Sequence, residues 1–172
     1  MIAGMIDRGL MLTMQAIRRQ LSAMPCDSYL IRLVHNQTRR AFPGERLWTA
    51  AQLLHPATIG FLRVRNREGC DVYVQPYSGD QNAGYILVDL DRADSLVLDR
   101  MCSNGHRPCV VLQTSQGHLQ AWVHVATSPV QPDLATAIAR QLARDYDGDP
   151  ASAGWRHLGR LAGFTNQKPM RR

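Results

Sequence analysis

The fold of this 172-residue chain is decided by residues 85–91, which read YILVDLD. Such a dense apolar run, rich in branched and aromatic side chains, predicts a buried β-strand. Side chains two positions apart in a strand point to the same face, so Asp89 and Asp91 share one face. Ile86, Val88 and Leu90 then point the other way, into a core. The stretch therefore predicts a sheet that buries one face and presents two carboxylates at a strand end.

The segments around this strand alternate between helical and extended patterns. Helices are predicted over residues 5–24, 49–54, 56–67 and 93–103, and from Pro132 and Asp149 onward. Strands are predicted over residues 28–34, 70–75, 109–114 and 118–126, the last two forming a hairpin around the turn at 115–117. This order predicts an α+β fold: a small antiparallel or mixed sheet flanked by helices, in one domain over residues 1–172.

The net charge of the chain is +6, and the charged residues are unevenly distributed along it. Residues 1–69 carry +6, residues 70–150 carry −5 and residues 151–172 carry +5, and nineteen of the twenty cations are arginine. Arginine suits bidentate phosphate contacts, so the basic flanks indicate a nucleic-acid or nucleotide partner. No apolar run reaches the roughly 18 residues needed to span a bilayer, and no signal peptide is recognised, so we expect a cytoplasmic protein without a membrane partner.

Three aspartates are candidates for divalent-cation chemistry. Asp89 and Asp91 can lean together and bind one or two cations, as in-line phosphoryl transfer requires. The plainer alternative is that the strand simply ends there, with Asp91 capping the next helix. Asp149 precedes Pro150 and is either a helix cap or the third carboxylate of such a site.

A second candidate set lies on the predicted hairpin. Strand alternation places His118, Gln120, Trp122 and His124 on one face, a polar composition that would suit a nucleotide cleft. His118 follows a turn whose free N–H groups can cradle phosphate.

The basic tail forms a third set. Arg156 and Arg160 are four residues apart and are predicted to share one helical face, with His157 beside them. Such a face is either a solvated basic surface or a contact for triphosphate or template phosphates.

The four cysteines include no C-x-x-C pair, and we expect reduced, mostly buried thiols. A zinc site built from Cys102, His106 and Cys109 is an alternative, although it lacks a fourth ligand of recognised spacing.

The order of these motifs resembles the archaeo-eukaryotic primase superfamily, whose signature is an Asp-x-Asp strand, a small-residue-x-His motif and a third acidic motif. The closer resemblance is to the RepB-type plasmid primases, found alone or fused behind mobilisation relaxases. The matching stretches are residues 13–26, 66–76, 88–89, 113–115, 120–123, 146–153 and 156–166.

The resemblance implies a DNA primase of a plasmid or mobile element that makes short primers on single-stranded DNA from nucleoside triphosphates. It implies that Mg²⁺ or Mn²⁺ is held by the catalytic carboxylates Asp89, Asp91 and Asp149. The nucleotide-binding residues would be His118, Ser115, Arg156, His157 and Arg160. The template would be held by Arg63, Arg65, Arg67 and Lys168, with Trp122 or Tyr77 as stacking platforms.

Two features depart from that family. Some RepB-type primases carry adjacent aspartates in place of Asp-Leu-Asp, and an amide where His118 stands, so this chain is nearer to the general superfamily pattern. Family members also continue beyond the matched tail into a helical domain, which we expect this chain to lack. A replicative helicase or that helical domain is therefore an expected partner.

Two other functional classes fit parts of the pattern. One is a single-stranded origin-DNA-binding module without catalysis. The other is a nicking initiator with Tyr146 as nucleophile, although that class uses His-x-His on one strand and here His118 and His124 are six residues apart.

Overall fold

The computed structural model describes residues 7–42, 44–91 and 96–167. Its helices are α1 (Arg8–Ala23), α2 (Ala50–Leu53), α3 (Pro56–Arg67), α4 (Val97–Ser103) and α5 (Pro132–Asp145), with a short 3-10 helix at Pro150–Ser152. Its strands are β1 (Ser28–His35), β2 (Arg46–Trp48), β3 (Cys70–Ser78), β4 (Gln81–Asn82), β5 (Tyr85–Asp91), β6 (Pro108–Ser115), β7 (His118–His124) and β8 (Gly159–Arg160). The α+β class is confirmed. None of the helices in the described ranges combines the length and apolarity needed to span a bilayer.

The strands form two antiparallel sheets instead of the one predicted. The first sheet has the order β2-β1-β3-β4, with β8 also paired to β3, and the second has the order β5-β7-β6. The added strands β2, β4 and β8 have only two or three residues, which is too short to give a periodic signal. Strand β3 also continues through Pro76 to Ser78, beyond its predicted end.

The first sheet buries one face against α1 and α3. Helix α1 is capped by Asp7, whose carboxylate accepts the amide of Leu10 at 3.1 Å. The alternate residues Tyr29, Ile31 and Leu33 of β1 meet apolar side chains of the two helices, which are Ile17, Leu21, Ile59 and Leu62. The opposite face, with Arg32 of β1, points away from these helices, as the alternation predicts.

The second sheet buries the apolar face of β5. Ile86, Val88 and Leu90 pack against α4 and α5, whose contributions include Met101, Ala139 and Leu142. The two aspartates of β5 therefore lie on the opposite face of the sheet, as predicted. The helix predicted from Ala93 is observed over Val97–Ser103, and its predicted start lies outside the described residues.

The prediction of a helix that carries Arg156 and Arg160 on one face is wrong. Residues 155–167, which we call the strap, contain only the two-residue strand β8 and otherwise irregular chain. The side chain of Gln20 shows how the strap is held. Its Nε2 donates to the Arg160 carbonyl at 3.0 Å, and its Oε1 accepts the backbone N–H of Ala162 at 2.7 Å. Five buried side-chain amides bond to the strap backbone in this way: Gln20, Asn66, Gln75, Asn82 and Gln120. They replace the backbone partners that a buried irregular segment lacks.

Gly159 brings the strap into contact with the second sheet. A Cβ atom at this position would lie 2.7 Å from Cζ2 of Trp122, a ring that is itself fully buried. We expect Gly159→Ala to lower the free energy of unfolding by about 1–3 kcal/mol, because an overpacked site must shift its neighbours. Chemical denaturation followed by circular dichroism measures this change.

Gly154→Ala is the matched control, because a Cβ there has no atom within 4 Å and neither glycine has a left-handed φ. We expect the control to stay within about 0.5 kcal/mol of the wild type. Equal effects of the two substitutions would contradict the contact.

Candidate active site

The two predicted motifs meet across the β5–β7 ladder. Asp89 is paired with Gln120 and Asp91 with His118. Nδ1 of His118 lies 2.7 Å from Oδ1 of Asp91, and the amide of Gln120 lies 3.5 Å from Oδ2 of Asp89. Asp91 and His118 are open to solvent, whereas Gln120 is buried and also accepts the amide of Arg160 at 2.8 Å. The acidic pair therefore lies on the second sheet, next to the strap.

Asp149 lies beside this pair. Its backbone N–H donates to the carbonyl of Asp89 at 2.8 Å. Its carboxylate accepts the Ala151 amide at 2.9 Å and the Ser152 hydroxyl at 3.0 Å, so it caps the 3-10 helix. In the ranges that the structure describes, no three His, Cys, Asp or Glu side chains are placed to hold one metal ion. The three aspartates are therefore neighbours without forming a preassembled cluster.

His157 reaches the same place from the strap. Its ring is half-buried, and burial lowers its pKa below the usual 6.5, while the charges of Asp89 and Asp149 oppose that shift. The imidazole is therefore largely neutral at pH 7.

Tyr73 on β3 lies next to the strap and was not predicted as a site residue. It pairs with Arg32 in the β1–β3 register and with Arg160 in the β3–β8 register, and the guanidinium of Arg160 lies 5.0 Å from its ring centre. Burial raises the pKa of Tyr73, the Arg160 charge lowers it, and Asp89 adds a smaller upward shift. The available sequence signal was alternation, since Arg32 and Tyr73 both point away from the first core.

Arg39 was also missed by sequence reasoning. It closes the hairpin that follows β1, where its N–H donates to the His35 carbonyl at 2.9 Å. Its φ of +56° lies in the left-handed region, which residues other than glycine and asparagine rarely adopt. Its charge also lowers the pKa of Tyr73.

Arg160 has an ion-pair partner within the protein, whereas the sequence predicted a guanidinium that is either solvated or in contact with phosphates. It is buried, forms an ion pair with both oxygens of Asp71, and donates to the Asn166 side chain at 2.9 Å. Because its donors are engaged within the protein, Arg160 holds the strap onto β3. Its role in nucleotide binding stays a prediction that would require this network to rearrange.

Arg156 lies in a different place from Arg160. Its guanidinium lies 4.3 Å from the ring centre of Trp155 and donates to the Gly79 carbonyl at 3.3 Å. It lines a pocket with Tyr77 and Arg32. Ser115 is exposed at the hairpin turn and pairs with His118 in the β6–β7 register.

The predicted template-binding residues on α3 are partly engaged in ion pairs. Arg63 pairs with Asp7 at 2.5 Å, and Arg65 pairs with Glu68 at 2.7 Å. Arg67 is exposed, and its Nε donates to the Arg63 carbonyl at 3.4 Å. Lys168 lies outside the described residues.

Several alternatives conflict with the packing. Tyr146, the candidate nicking nucleophile, is buried, and its hydroxyl lies 2.7 Å from Nδ1 of His106. Trp122 is buried beneath Gly159 and cannot be a stacking platform. Cys102 is exposed, and no zinc-binding group is found in the described ranges.

Comparison with known proteins finds relatives along most of the chain. A family profile described as the RepB DNA-primase N-terminal domain matches residues 54–172. Mobilization protein A of Escherichia coli is 42% identical over 156 residues, covering 91% of this chain and 21% of that protein. A DNA primase of Acidithiobacillus ferrooxidans is 31% identical over 105 residues, covering 60% of this chain and 28% of that protein. The chain thus spans between a fifth and a third of the length of these relatives.

Solved structures share the fold. The catalytic domain of primase RepB′ in complex with initiator DNA matches with a TM-score of 0.80 at 42% identity, over 90% of this chain and 78% of that chain. Primase RepB′ matches with a TM-score of 0.82 at 42% identity, over 92% and 52% of the two chains. The AEP domain of the cyanophage S-2L primase-polymerase, at 19% identity and a TM-score of 0.59 over 86% and 80%, shares the fold alone. The resemblance inferred from the motifs is confirmed: this chain belongs to the RepB DNA-primase N-terminal domain family.

Proposed function

We propose that this chain is the catalytic part of a DNA primase that makes short primers on single-stranded DNA for a plasmid or mobile element. The observation that carries the proposal is the face of β5 and β7 where Asp89 and Asp91 oppose Gln120 and His118, in a chain of the RepB primase family. A similar catalytic domain, that of primase RepB′, has been solved with initiator DNA, which supports a DNA partner here.

The donor set of this face fits a hard divalent cation. Mg²⁺ is commonly held by one or two carboxylates, with water and substrate phosphates completing its shell. Asp89 and Asp91 would be the two carboxylates for Mg²⁺ or Mn²⁺, and Asp149 would be the third after its side chain leaves the cap. The bound ions would supply activation of a 3′-hydroxyl and stabilisation of charge on the leaving pyrophosphate.

The chain's own residues would orient the nucleotide. Asp91 engages Nδ1 of His118, so Nε2 would be the nitrogen that meets a phosphate oxygen of the incoming nucleotide, and it would donate to that oxygen when both ring nitrogens carry a proton. Gln120 steadies Asp89 and ties it to the strap backbone. His157 is largely neutral because burial lowers its pKa, so it would contact the nucleotide as a hydrogen-bonding group instead of a fixed charge.

Further partners are proposed because the curated relatives are longer than this chain. This chain covers 21% and 28% of the two curated relatives, so further parts of such proteins could supply a helical domain or a helicase contact. We propose nucleoside triphosphates and single-stranded template as the substrates, and the cytoplasm as the place of action.

A primer-synthesis assay on single-stranded circular DNA tests this proposal. Labelled nucleoside triphosphates are incubated with the chain and template in Mg²⁺ or Mn²⁺, with and without EDTA. We expect short labelled products that need both template and metal. Binding of the circles without any incorporation in either metal would instead favour a non-catalytic DNA-binding module.

A further inference from the structure

A pocket of about 200 Å³ lies on the first sheet, on the face that points away from α1 and α3. Its walls include side chains from β1, β3 and the strap, which are Arg32, Gln75, Tyr77, Trp155 and Arg156. Gln75 donates to the Trp155 carbonyl at 3.0 Å, so the strap is fixed to β3 at the pocket wall. The pocket is therefore a built feature that depends on the strap.

The lining combines two kinds of group. Trp155 and Tyr77 supply half-buried aromatic rings, and Arg32 and Arg156 supply guanidinium groups. Arg156 is exposed at the rim and lies over the Trp155 ring. Arg32 forms an ion pair with Glu45, which also lines the pocket. Two arginines and one glutamate leave the pocket with a net positive charge. Aromatic rings beside arginine guanidinium groups are the chemistry that binds single-stranded nucleic acid.

The pocket is linked to the acidic site through Tyr73 and Arg160. Arg32 pairs with Tyr73 in the β1–β3 register, and the guanidinium of Arg160 lies 5.0 Å from the Tyr73 ring centre. The backbone N–H of Arg160 donates to Gln120, whose side chain lies 3.5 Å from Asp89. A nucleotide held in the pocket would thus be separated from the acidic site by Tyr73 and Arg160.

We propose that this pocket binds one nucleotide unit, with its base against Trp155 and Tyr77 and its phosphate on Arg32 and Arg156. The inference rests on the proposed primase function and adds a subsite to it. The unit belongs either to a DNA strand or to a free nucleoside triphosphate, since both present the same base and phosphate chemistry.

Arg156→Ala in the full chain tests the subsite, with Arg46→Ala as the matched control. Arg46 also lies over an indole, 5.6 Å from the ring centre of Trp48, but the pocket does not include that ring. Each substitution removes one positive charge, together with the contact to Trp155 for Arg156 and the contacts to Trp48 and Phe61 for Arg46, so the general electrostatic losses are alike. Affinity is measured by anisotropy for a labelled single-stranded oligonucleotide and, separately, for a fluorescent nucleoside triphosphate, with thermal melting as the check of folding.

We expect Arg156→Ala to weaken binding of one of these two ligands about 10- to 100-fold more than Arg46→Ala does, the range typical of a lost charge-assisted hydrogen bond to phosphate. A loss confined to the oligonucleotide assigns the pocket to a strand, and a loss confined to the triphosphate assigns it to the free nucleotide. Equal affinities of the two variants for both ligands would overturn the subsite. Primer synthesis by the Arg46→Ala variant is scored independently, so failure of the subsite and failure of the primase function are told apart.

Discussion

Asp89→Ala is expected to abolish primer synthesis while the chain still folds. Asp89 is half-buried at the end of β5, and its carboxylate would be a cation ligand beside His157 and Asp149. Loss of one group that stabilises charge in a phosphoryl-transfer transition state costs about 100- to 1000-fold in rate, and loss of a metal ligand can cost more. Incorporation of labelled nucleotide on single-stranded circles measures the effect.

The matched control is Asp133→Ala, which removes an exposed carboxylate from the first turn of α5. Both variants are compared by thermal melting and by affinity for single-stranded DNA. We expect the control to prime at the wild-type rate, and Asp89→Ala to melt and bind DNA within a small margin of the wild type. Priming by Asp89→Ala at the wild-type rate would refute the assignment of the acidic pair.

Asp71→Ala is expected to cause the largest loss of stability. Asp71 is buried, pairs with the Arg160 guanidinium through both oxygens and accepts the Gln167 amide at 2.8 Å. Its removal leaves a buried cation without a counter-charge, which typically lowers the free energy of unfolding by about 3–5 kcal/mol. In a chain of this size that corresponds to roughly a 6–20 °C fall in the melting temperature.

The double variant Asp71→Ala/Arg160→Met tests the cause. Removing both charges relieves the buried cation, so we expect the pair of substitutions to restore much of the lost stability. Urea denaturation of the wild type, the single variant and the double variant provides the three free energies. A double variant as unstable as the single one would show that packing, and not the unpaired charge, is responsible.

The parts of the fold that could be predicted are those with a strong local period. The β5 run, the hairpin of β6 and β7, and the helices α1, α3 and α5 all follow from alternation or from three- and four-residue spacing. The strap could not be predicted, because its partners are distant side-chain amides. Gln20, for example, bonds to a carbonyl 140 residues away. Two arginines four apart are too weak a period to establish a helix there.

In the candidate site, too, the local placement of residues could be predicted and the distant contacts could not. Alternation correctly placed Asp89 and Asp91 on one face of β5, and His118 with Gln120 on one face of β7, but it carried no register between the two strands. The register is what brings Asp91 to His118. Tyr73 comes from the other sheet and Arg39 from the turn after β1, and a single sequence gives no information about how two sheets are placed around a site.

The strap also has a consequence for the order in which the molecule is assembled. Its contacts close loops of 89 residues to Asp71, 99 to Asn66 and 140 to Gln20, and such distant contacts form late because loop closure opposes them. During synthesis most of each apolar core can pack before residues 155–167 leave the ribosome, but Leu161 completes the first core and Trp155 the edge of the second only afterwards. The candidate site is therefore completed last, after nearly all of the described sequence has been made.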